Sequence, residues 1–227
     1  MELIEAIKTR KSIRAFKPDP VPRSVLQEIL EAARNSPSWA NTQPWEFAIV
    51  TGRQLEEIKK GFLELGTTGS NMEAGRPPEF PEPYISRVRS LGQKEYGLIG
   101  ITRDNKEGRA WWNSQNFHNY GAPCVIYILI DRAFHIHEKG INVWPVYDCG
   151  LISQTIMLLA TNYGLGTVVQ AQAVIHPEII RRVIGIPDSK LILIGIAIGY
   201  PDWAEKIASF RSDKEPLDKL VKWYGFA

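Results

Sequence analysis

The sequence has few cysteines, a small net charge and no histidine pattern typical of a metal site. Only two cysteines occur in 227 residues, Cys124 and Cys149, and they lack metal-ligand spacing. We therefore interpret both as reduced packing residues of a cytoplasmic protein. The formal net charge is only +2, and the basic residues are spread along the chain, which gives little support for nucleic-acid or membrane-surface binding. The four histidines form no metal-binding pattern: His118, His135, His137 and His176.

Long apolar segments and a dinucleotide fingerprint are also missing. The longest apolar run, Leu191 to Ile198, is far too short to cross a bilayer. The start of the chain, Met1 to Glu5, lacks the apolar core of a signal peptide. No Gly-x-Gly-x-x-Gly motif follows a predicted strand, so we expect no Rossmann site. With 44% hydrophobic and 23% charged residues, the composition favours one globular domain over residues 1–227.

The stretch Ser36–Trp45 is the most distinctive one present. It places Ser38, Asn41 and Gln43 close to two tryptophans, Trp39 and Trp45, and it separates an amphipathic helix from an apolar strand. A polar and aromatic loop between rigid elements suits a flat heteroaromatic ligand. A well-capped turn whose two tryptophans pack the core explains the same residues equally well.

Basic residues cluster at Arg10-Lys11-Ser12-Ile13-Arg14. Alternation in an extended segment would send Arg10, Ser12 and Arg14 to one side, which makes a phosphate site plausible. A solvated basic turn is the commoner explanation of such spacing. Arg211 and Lys214 of the tail could likewise be anion ligands, and a solvated tail is the commoner explanation of such a stretch.

Hydrophobic periodicity predicts alternating helices and strands along most of the chain. Helices are predicted at 2–9, Val25–Ala33, Leu55–Phe62, Arg109–Tyr120, Tyr147–Asn162 and Pro177–Ile184. Strands are predicted at Phe47–Val50, Cys124–Ile130, within Gly164–Gln172 and at Leu191–Ile198. The glycine- and proline-rich segment 66–109 is predicted to be irregular, with a helix near Tyr84–Leu91. It reads as a lid or interface arm, or equally well as a tolerated surface insertion.

Five motifs in register over nearly the whole chain resemble the FMN-dependent nitroreductase superfamily. They are Arg10-Lys11-Ser12-Ile13-Arg14; Ser36-Pro37-Ser38-(x)2-Asn41-(x)-Gln43-Pro44-Trp45; Gly121-Ala122-Pro123 before a strand; the helix Asp148–Ala160 followed by Gly164-Leu165-Gly166-Thr167; and a basic residue before Pro216-Leu217. The segment 66–109 is not covered by this resemblance.

The resemblance implies an α+β fold in which helices flank a central, mostly antiparallel sheet as an α/β/α sandwich. It also implies an intertwined homodimer whose C-terminal tail adds to the partner's sheet, with FMN at two interface sites. The residues implied to hold the phosphate and ribityl end are Arg10, Lys11, Ser12 and either Arg211 or Lys214. Those implied to approach the flavin from the other subunit are Pro37, Ser38, Trp39 and Asn41. Those implied to lie along the isoalloxazine, with a backbone N–H near N5, are Val169, Gln170 and Ala171.

The implied function is an FMN oxidoreductase that uses NAD(P)H to reduce nitroaromatics, quinones or similar acceptors with ping-pong kinetics. A nearby cation such as Arg14 would favour the reduced, anionic flavin. The flavin carries the chemistry, which agrees with the lack of any acid, base or nucleophile constellation in the sequence. The alternatives are reductive dehalogenation or flavin destruction within the same superfamily, and a flavin-binding or structural dimer without turnover.

Overall fold

The computed structural model describes residues 1–75, 79–136 and 140–226 of the chain. The helices are α1 (Leu3–Thr9), α2 (Arg23–Ala33), α3 (Gly52–Leu65), α4 (Tyr84–Leu98), α5 (Lys106–Ser114), α6 (Val143–Asn162), α7 (Pro177–Ile184) and α8 (Leu217–Leu220). The strands are β1 (Glu46–Thr51), β2 (Cys124–Asp131), β3 (His135–Ile136), β4 (Gly140–Ile141), β5 (Gly166–Gln170) and β6 (Lys190–Gly199). His137 and residues 76–78 of the middle segment lie outside the described residues.

The central sheet has the strand order β1-β2-β6-β5, and every neighbouring pair is antiparallel. Side chains of β2 alternate between its two faces, as the pleat of a strand requires. Odd-numbered residues from Val125 to Leu129 pack with α3 and α7, whereas even-numbered residues from Ile126 to Ile130 pack with α2 and α6. Helices therefore cover both faces of the sheet, which confirms the predicted α/β/α fold, and β2 is buried in its interior.

Helix α6 is the longest helix of the described chain, and the predicted start at Tyr147 is four residues late. Asn142 begins the helix earlier, because its Oδ1 accepts a hydrogen bond from the Trp144 N–H at 3.1 Å. By length and composition alone α6 could cross a membrane, but 44% of its apolar window is buried inside the fold. Its buried side contacts the sheet and α2, so we interpret it as a core helix.

Two helix boundaries in the middle of the chain were predicted wrongly. Helix α4 continues through Gly92 to Leu98, because glycine in a helix costs only about 1 kcal/mol and does not end it. Helix α5 ends at Ser114, short of the predicted Tyr120. Asn119 and Tyr120 have positive φ angles of 51° and 54°, which a right-handed helix cannot contain.

The first part of the middle segment is tied to the sheet through Glu73. This carboxylate accepts hydrogen bonds from Arg181 Nη2 at 2.8 and 2.9 Å and from the Ile192 N–H at 2.8 Å, and it also pairs with Arg132. Burial raises the pKa of Glu73, but these hydrogen bonds and charges outweigh it and hold the pKa below its usual value. The segment is thus anchored to the sheet at residue 73, and its helix α4 is longer than the sequence predicts.

Both cysteines are buried thiols without a disulfide. Burial raises the pKa of Cys124 to about 12, and burial with the nearby Asp148 charge raises that of Cys149 to about 12. The thiols are therefore protonated at neutral pH and pack as small apolar groups. The described residues contain no group of three or more His, Cys, Asp or Glu side chains that could hold a metal ion.

Candidate functional site

Six of the residues singled out in the sequence line one small cavity of about 150 Å³. We call it the cation cavity, and its lining residues are Arg10, Lys11, Ser12, Arg14, Leu91, Phe210, Arg211, Ser212 and Lys214. Five of these side chains are cationic and none is acidic. The chain thus brings its N-terminal basic cluster and its tail together across about 200 positions of sequence.

The extended segment 10–14 is held in place by strand β5. The Ile13 N–H donates to the Thr167 carbonyl at 3.0 Å, and Ser12 pairs with Thr167 in a parallel bridge. This close approach needs glycine at position 166, because a Cβ there would lie 2.6 Å from Ile13 Cγ1. Gly166, the first residue of β5, therefore lets the basic segment lie against the sheet edge.

The tail closes the cation cavity from the other side. Arg211 Nη2 donates to the carbonyl oxygens of Lys8 and Arg10, the latter at 3.3 Å. Lys11 Nζ donates to the Ser209 carbonyl at 3.2 Å. Both contacts engage backbone oxygens, so they leave the cationic charges without neutralisation.

The electrostatics of the cavity favour an anionic ligand. Burial lowers the pKa of Arg10 and of Lys11, and the nearby Arg211 charge lowers both further. Cations that repel one another in this way gain free energy when an anion binds between them. Forked guanidinium groups, an ammonium and a hydroxyl are together the donor set that suits a phosphate.

The Ser36–Trp45 loop lies elsewhere, against the first half of α6. The Trp39 N–H donates to both carboxylate oxygens of Asp148, at 3.2 and 3.1 Å, and Asp148 is only 2% exposed. The Gln43 N–H donates to Ser38 Oγ at 3.0 Å. Pro37, Ser38, Trp39 and Asn41 are not among the residues that line the cation cavity.

Backbone strain and an exposed indole distinguish this loop from an ordinary capped turn. Ala40, Asn41 and Gln43 have φ angles of 47°, 59° and 46°, each costing on the order of 1–3 kcal/mol. Trp45 packs in the core, but Trp39 is 62% exposed, so the alternative of a turn with two core tryptophans holds for only one of them. Strain of this kind concentrates at functional sites.

The stretch Val169–Ala171 ends the edge strand β5, next to the segment 10–14. Because the Thr167 carbonyl faces the free edge, the backbone N–H and C=O of Val169, two residues on, face the same edge. The Gln170 side chain instead points inward, where its Nε2 donates to the Asn116 carbonyl at 3.2 Å. Gln170 Oε1 and Thr167 Oγ1 are buried polar atoms without a hydrogen-bond partner.

The structure adds three residues that sequence reasoning missed. Asp148 could have been found, because it is the only charged residue of α6. Asn116 and Glu95 gave no local signal, since their roles arise from contacts with distant segments. Glu95 of α4 is only 8% exposed and lies 3.0 Å from Arg14 Nη2.

Comparison with known proteins places these features in a family. The family model described as "Nitroreductase family" matches residues 7–200. The chain belongs to the nitroreductase family. The prediction of this family from the five sequence motifs is therefore confirmed.

Individual nitroreductases resemble the chain over almost their full length. The 4-nitrobenzoate reductase of Nocardioides sp. (strain LMS-CY) is 29% identical over 228 residues, covering 97% of this chain and 90% of that protein. The crystal structure of the FMN and NADPH-dependent nitroreductase NfnB from Sphigopyxis sp. strain HMH has a TM-score of 0.91 at 29% identity, with 100% of both chains covered. The FMN-dependent nitroreductase NfnB from Mycobacterium smegmatis, solved in complex with NADPH, has a TM-score of 0.89 at 25% identity, covering 98% of this chain and 100% of that one.

Proposed function

We propose that the chain is an FMN-dependent oxidoreductase that uses NAD(P)H to reduce nitroaromatics, quinones or similar acceptors. The observation that carries the proposal is the cation cavity, with five cations and no acid, beside the free edge of β5. Family membership and the nitroreductases that match at 28–29% identity support it. When bound, FMN supplies hydride transfer from the nicotinamide to the acceptor.

The donors of the chain fit FMN at both ends of the molecule. Arg10, Lys11, Ser12, Arg211 and Lys214 would hold the phosphate, because they line one cavity and carry no neutralising acid. The free edge at Val169 and the adjoining Gln170-Ala171 would offer backbone hydrogen bonds to the polar edge of the ring. The unpartnered buried oxygens of Thr167 and Gln170 agree with a polar ligand at this edge.

The protein's own part in the reaction is to bind the flavin, orient it and place a positive charge beside it. Arg14 lines the same cavity and would present a positive charge to the flavin, which favours its negatively charged reduced form. One site that serves both substrates in turn predicts parallel lines in double-reciprocal plots, as in ping-pong kinetics.

A second copy of the chain would complete each site. The Ser36–Trp45 loop lies apart from the cation cavity, and its Trp39 joins an exposed apolar face with Val143, Trp144 and Tyr147 of α6. Exposed apolar faces of this kind mark interfaces. Pro37, Ser38, Trp39 and Asn41 would then reach the flavin of the partner.

The tail supplies the second contact of the proposed homodimer. Its exposed large apolar residues are Leu217, Leu220, Trp223, Tyr224 and Phe226. Edge strand β1 borders an apolar groove of about 670 Å³ that includes Leu26, Leu30, Phe47 and Ile49. An extended tail from a second chain would pair with this free strand edge while its side chains fill the groove.

The middle segment 66–109 is best explained as part of the same single domain and as an arm over the cavity. Helix α4 contacts the tail through Arg87 and Glu215, whose Nε and Oε1 lie 3.1 Å apart, and through Lys94 and Asp213. These side chains are engaged within the protein. No contact favours the dehalogenase alternative among the described residues of this segment.

Anaerobic titration tests the proposed function. The purified protein, supplied with FMN, should lose its flavin absorbance when NADH or NADPH is added without oxygen. Adding 4-nitrobenzoate or a quinone should then restore the absorbance. A flavin that neither nucleotide bleaches would contradict the proposal and support a binding role without turnover.

A further inference from the structure

Among the described residues, one acidic side chain pairs with a cation of the cavity, namely Glu95 of α4. Glu95 Oε1 is 3.0 Å from Arg14 Nη2, and both side chains are largely buried, with exposures of 10% and 16%. Arg14 lines the cavity, whereas Glu95 does not. Glu95 is therefore placed to influence a ligand in the cavity through its pairing with Arg14 and not by direct contact.

The other four cations of the cavity have no such partner within the described chain. Lys11 and Arg211 donate to backbone carbonyls, and Lys214 lies 3.4 Å from the Ser212 hydroxyl. Arg14 is thus the one cation of the set whose charge is offset by a buried carboxylate. Charges in a buried site interact more strongly than in water, so this single pairing has a large electrostatic effect.

Arg14 is held on its second side by a polar chain that leads to β5. Tyr120 lies against Arg14, and its hydroxyl donates to Asn116 Oδ1 at 2.9 Å. The Asn116 carbonyl in turn accepts from Gln170 Nε2 at 3.2 Å. Glu95 and Tyr120 together fix the guanidinium between α4 and the edge of the proposed ring site.

The hydrogen bonding of the Glu95 carboxylate is incomplete. Glu95 Oε1 is buried without a well-aligned hydrogen bond, although it lies at ion-pair distance from Arg14. Burial raises the pKa of Glu95, and this outweighs the lowering by Arg14 and by a hydrogen bond with Trp112. Burial disfavours the ionised form of Glu95, so this acid is costly for the stability of the fold. Its presence beside the cavity therefore indicates a role other than stability.

We propose that Glu95 is a positioning residue that offsets the charge of Arg14 and thereby lowers the reduction potential of the bound FMN. The inference rests on the proposed function, because it requires FMN beside Arg14. With Glu95 present, the net charge next to the flavin is smaller, and the negatively charged reduced form gains less. Without it, Arg14 would favour reduced FMN more strongly.

The test is the substitution Glu95→Gln, which removes the charge and preserves the shape. FMN affinity is measured for the oxidised and the reduced cofactor, and the midpoint potential is measured independently. Reduced FMN should gain about tenfold in affinity relative to oxidised FMN, which corresponds to a shift of about +30 mV for a two-electron couple. The potential does not depend on turnover, so it reports on the site itself.

Glu73→Gln is the matched control, since Glu73 is another largely buried carboxylate paired with arginines and lies outside the cation cavity. It should lower the melting temperature and leave the potential unchanged. In an Arg14→Gln background the buried Glu95 has lost its cationic partner and should be protonated, so Glu95→Gln should no longer shift the potential. If Glu95→Gln does not fold, Glu95→Asp carries the same test, with a smaller positive shift because its shorter side chain draws the anion away from Arg14.

The outcomes separate this inference from the proposed function. An unchanged potential in folded Glu95→Gln, with only a change in melting temperature, would overturn the inference and leave Glu95 a structural residue. A shift that persists in the Arg14→Gln background would also overturn it. If the wild-type protein takes up no FMN at all, the proposed function itself fails.

Discussion

The cation cavity and the Ser36–Trp45 loop differ in how much of a site one chain can build. The cavity is assembled within a single chain, from segment 10–14, β5 and the tail, and its donors already converge. The loop is equally well fixed, by Asp148 and by three left-handed residues, but Trp39, Asn41 and Gln43 are exposed. Under the proposed function, the phosphate end of the site is therefore complete within one protomer, whereas the ring end requires a second chain.

Removing the tail should have the largest effect, because it should separate the two chains that together form the ring end of the proposed site. Deletion of residues 217–227 removes the apolar side chains that we expect to fill the β1 groove, while Arg211 and Lys214 remain. We predict a monomer by analytical ultracentrifugation, with FMN affinity reduced because no partner loop covers the ring. A dimer of unchanged stability would show that the tail does not reach a second chain.

Arg10→Ala tests the cation cavity, which a single chain forms. Loss of a charged hydrogen-bond donor costs about 1.5–3 kcal/mol, so FMN affinity should fall by about tenfold or more, as measured by fluorescence quenching. Arg34→Ala is the control, because Arg34 is an exposed arginine that pairs only with its neighbour Glu31 on α2. Equal FMN affinities in the two variants would remove Arg10 from the site.

Trp39→Ala tests the Ser36–Trp45 loop, which we propose contacts the partner chain. The indole is exposed in one chain but should be buried in the dimer, so its loss should weaken the dimer by about 1–3 kcal/mol and leave the monomer fold intact. Trp111→Ala serves for comparison, since Trp111 is 56% exposed but is not part of the α6 face. A dimer dissociation constant that changes equally in both variants would argue against an interface at Trp39.

Asn41→Ala should have the smallest of these effects. We expect an altered flavin spectrum or turnover in a dimer that still folds. Alanine at φ 59° adds about 1 kcal/mol of backbone strain, and Asn41→Gly removes the side chain without that strain. If both variants match the wild-type spectrum and rate, Asn41 is a turn residue only.

The sequence predicts most of the fold because the strongest signals are local. Strand β2 and helix α6 stand out because they are long, nearly continuous apolar segments, and Gly164 marks the turn between α6 and β5. The ends of α4 and α5 were missed because a tolerated glycine and a pair of left-handed residues leave weak local signals. Contacts between distant segments, such as Glu95 with Arg14, cannot be read from spacing at all.

The candidate site shows the same limit. Arg10 to Arg14 is one short run, so its convergence on a single cavity follows once the segment is extended beside β5. The addition of Arg211 and Lys214 came from resemblance, because nothing local links a tail to a segment about 200 residues earlier. Whether Trp39 is a core or a surface residue was undecidable from the sequence, since it depends on how the loop sits on α6.

The most direct test of the account compares FMN with riboflavin, which has the same ring system but no phosphate. Both are titrated into the protein after its flavin has been removed, and binding is followed by fluorescence quenching. The account predicts that FMN binds far more tightly, and that Arg10→Ala reduces the difference between the two ligands. Equal affinities for FMN and riboflavin would contradict it, because the cation cavity would then hold no phosphate.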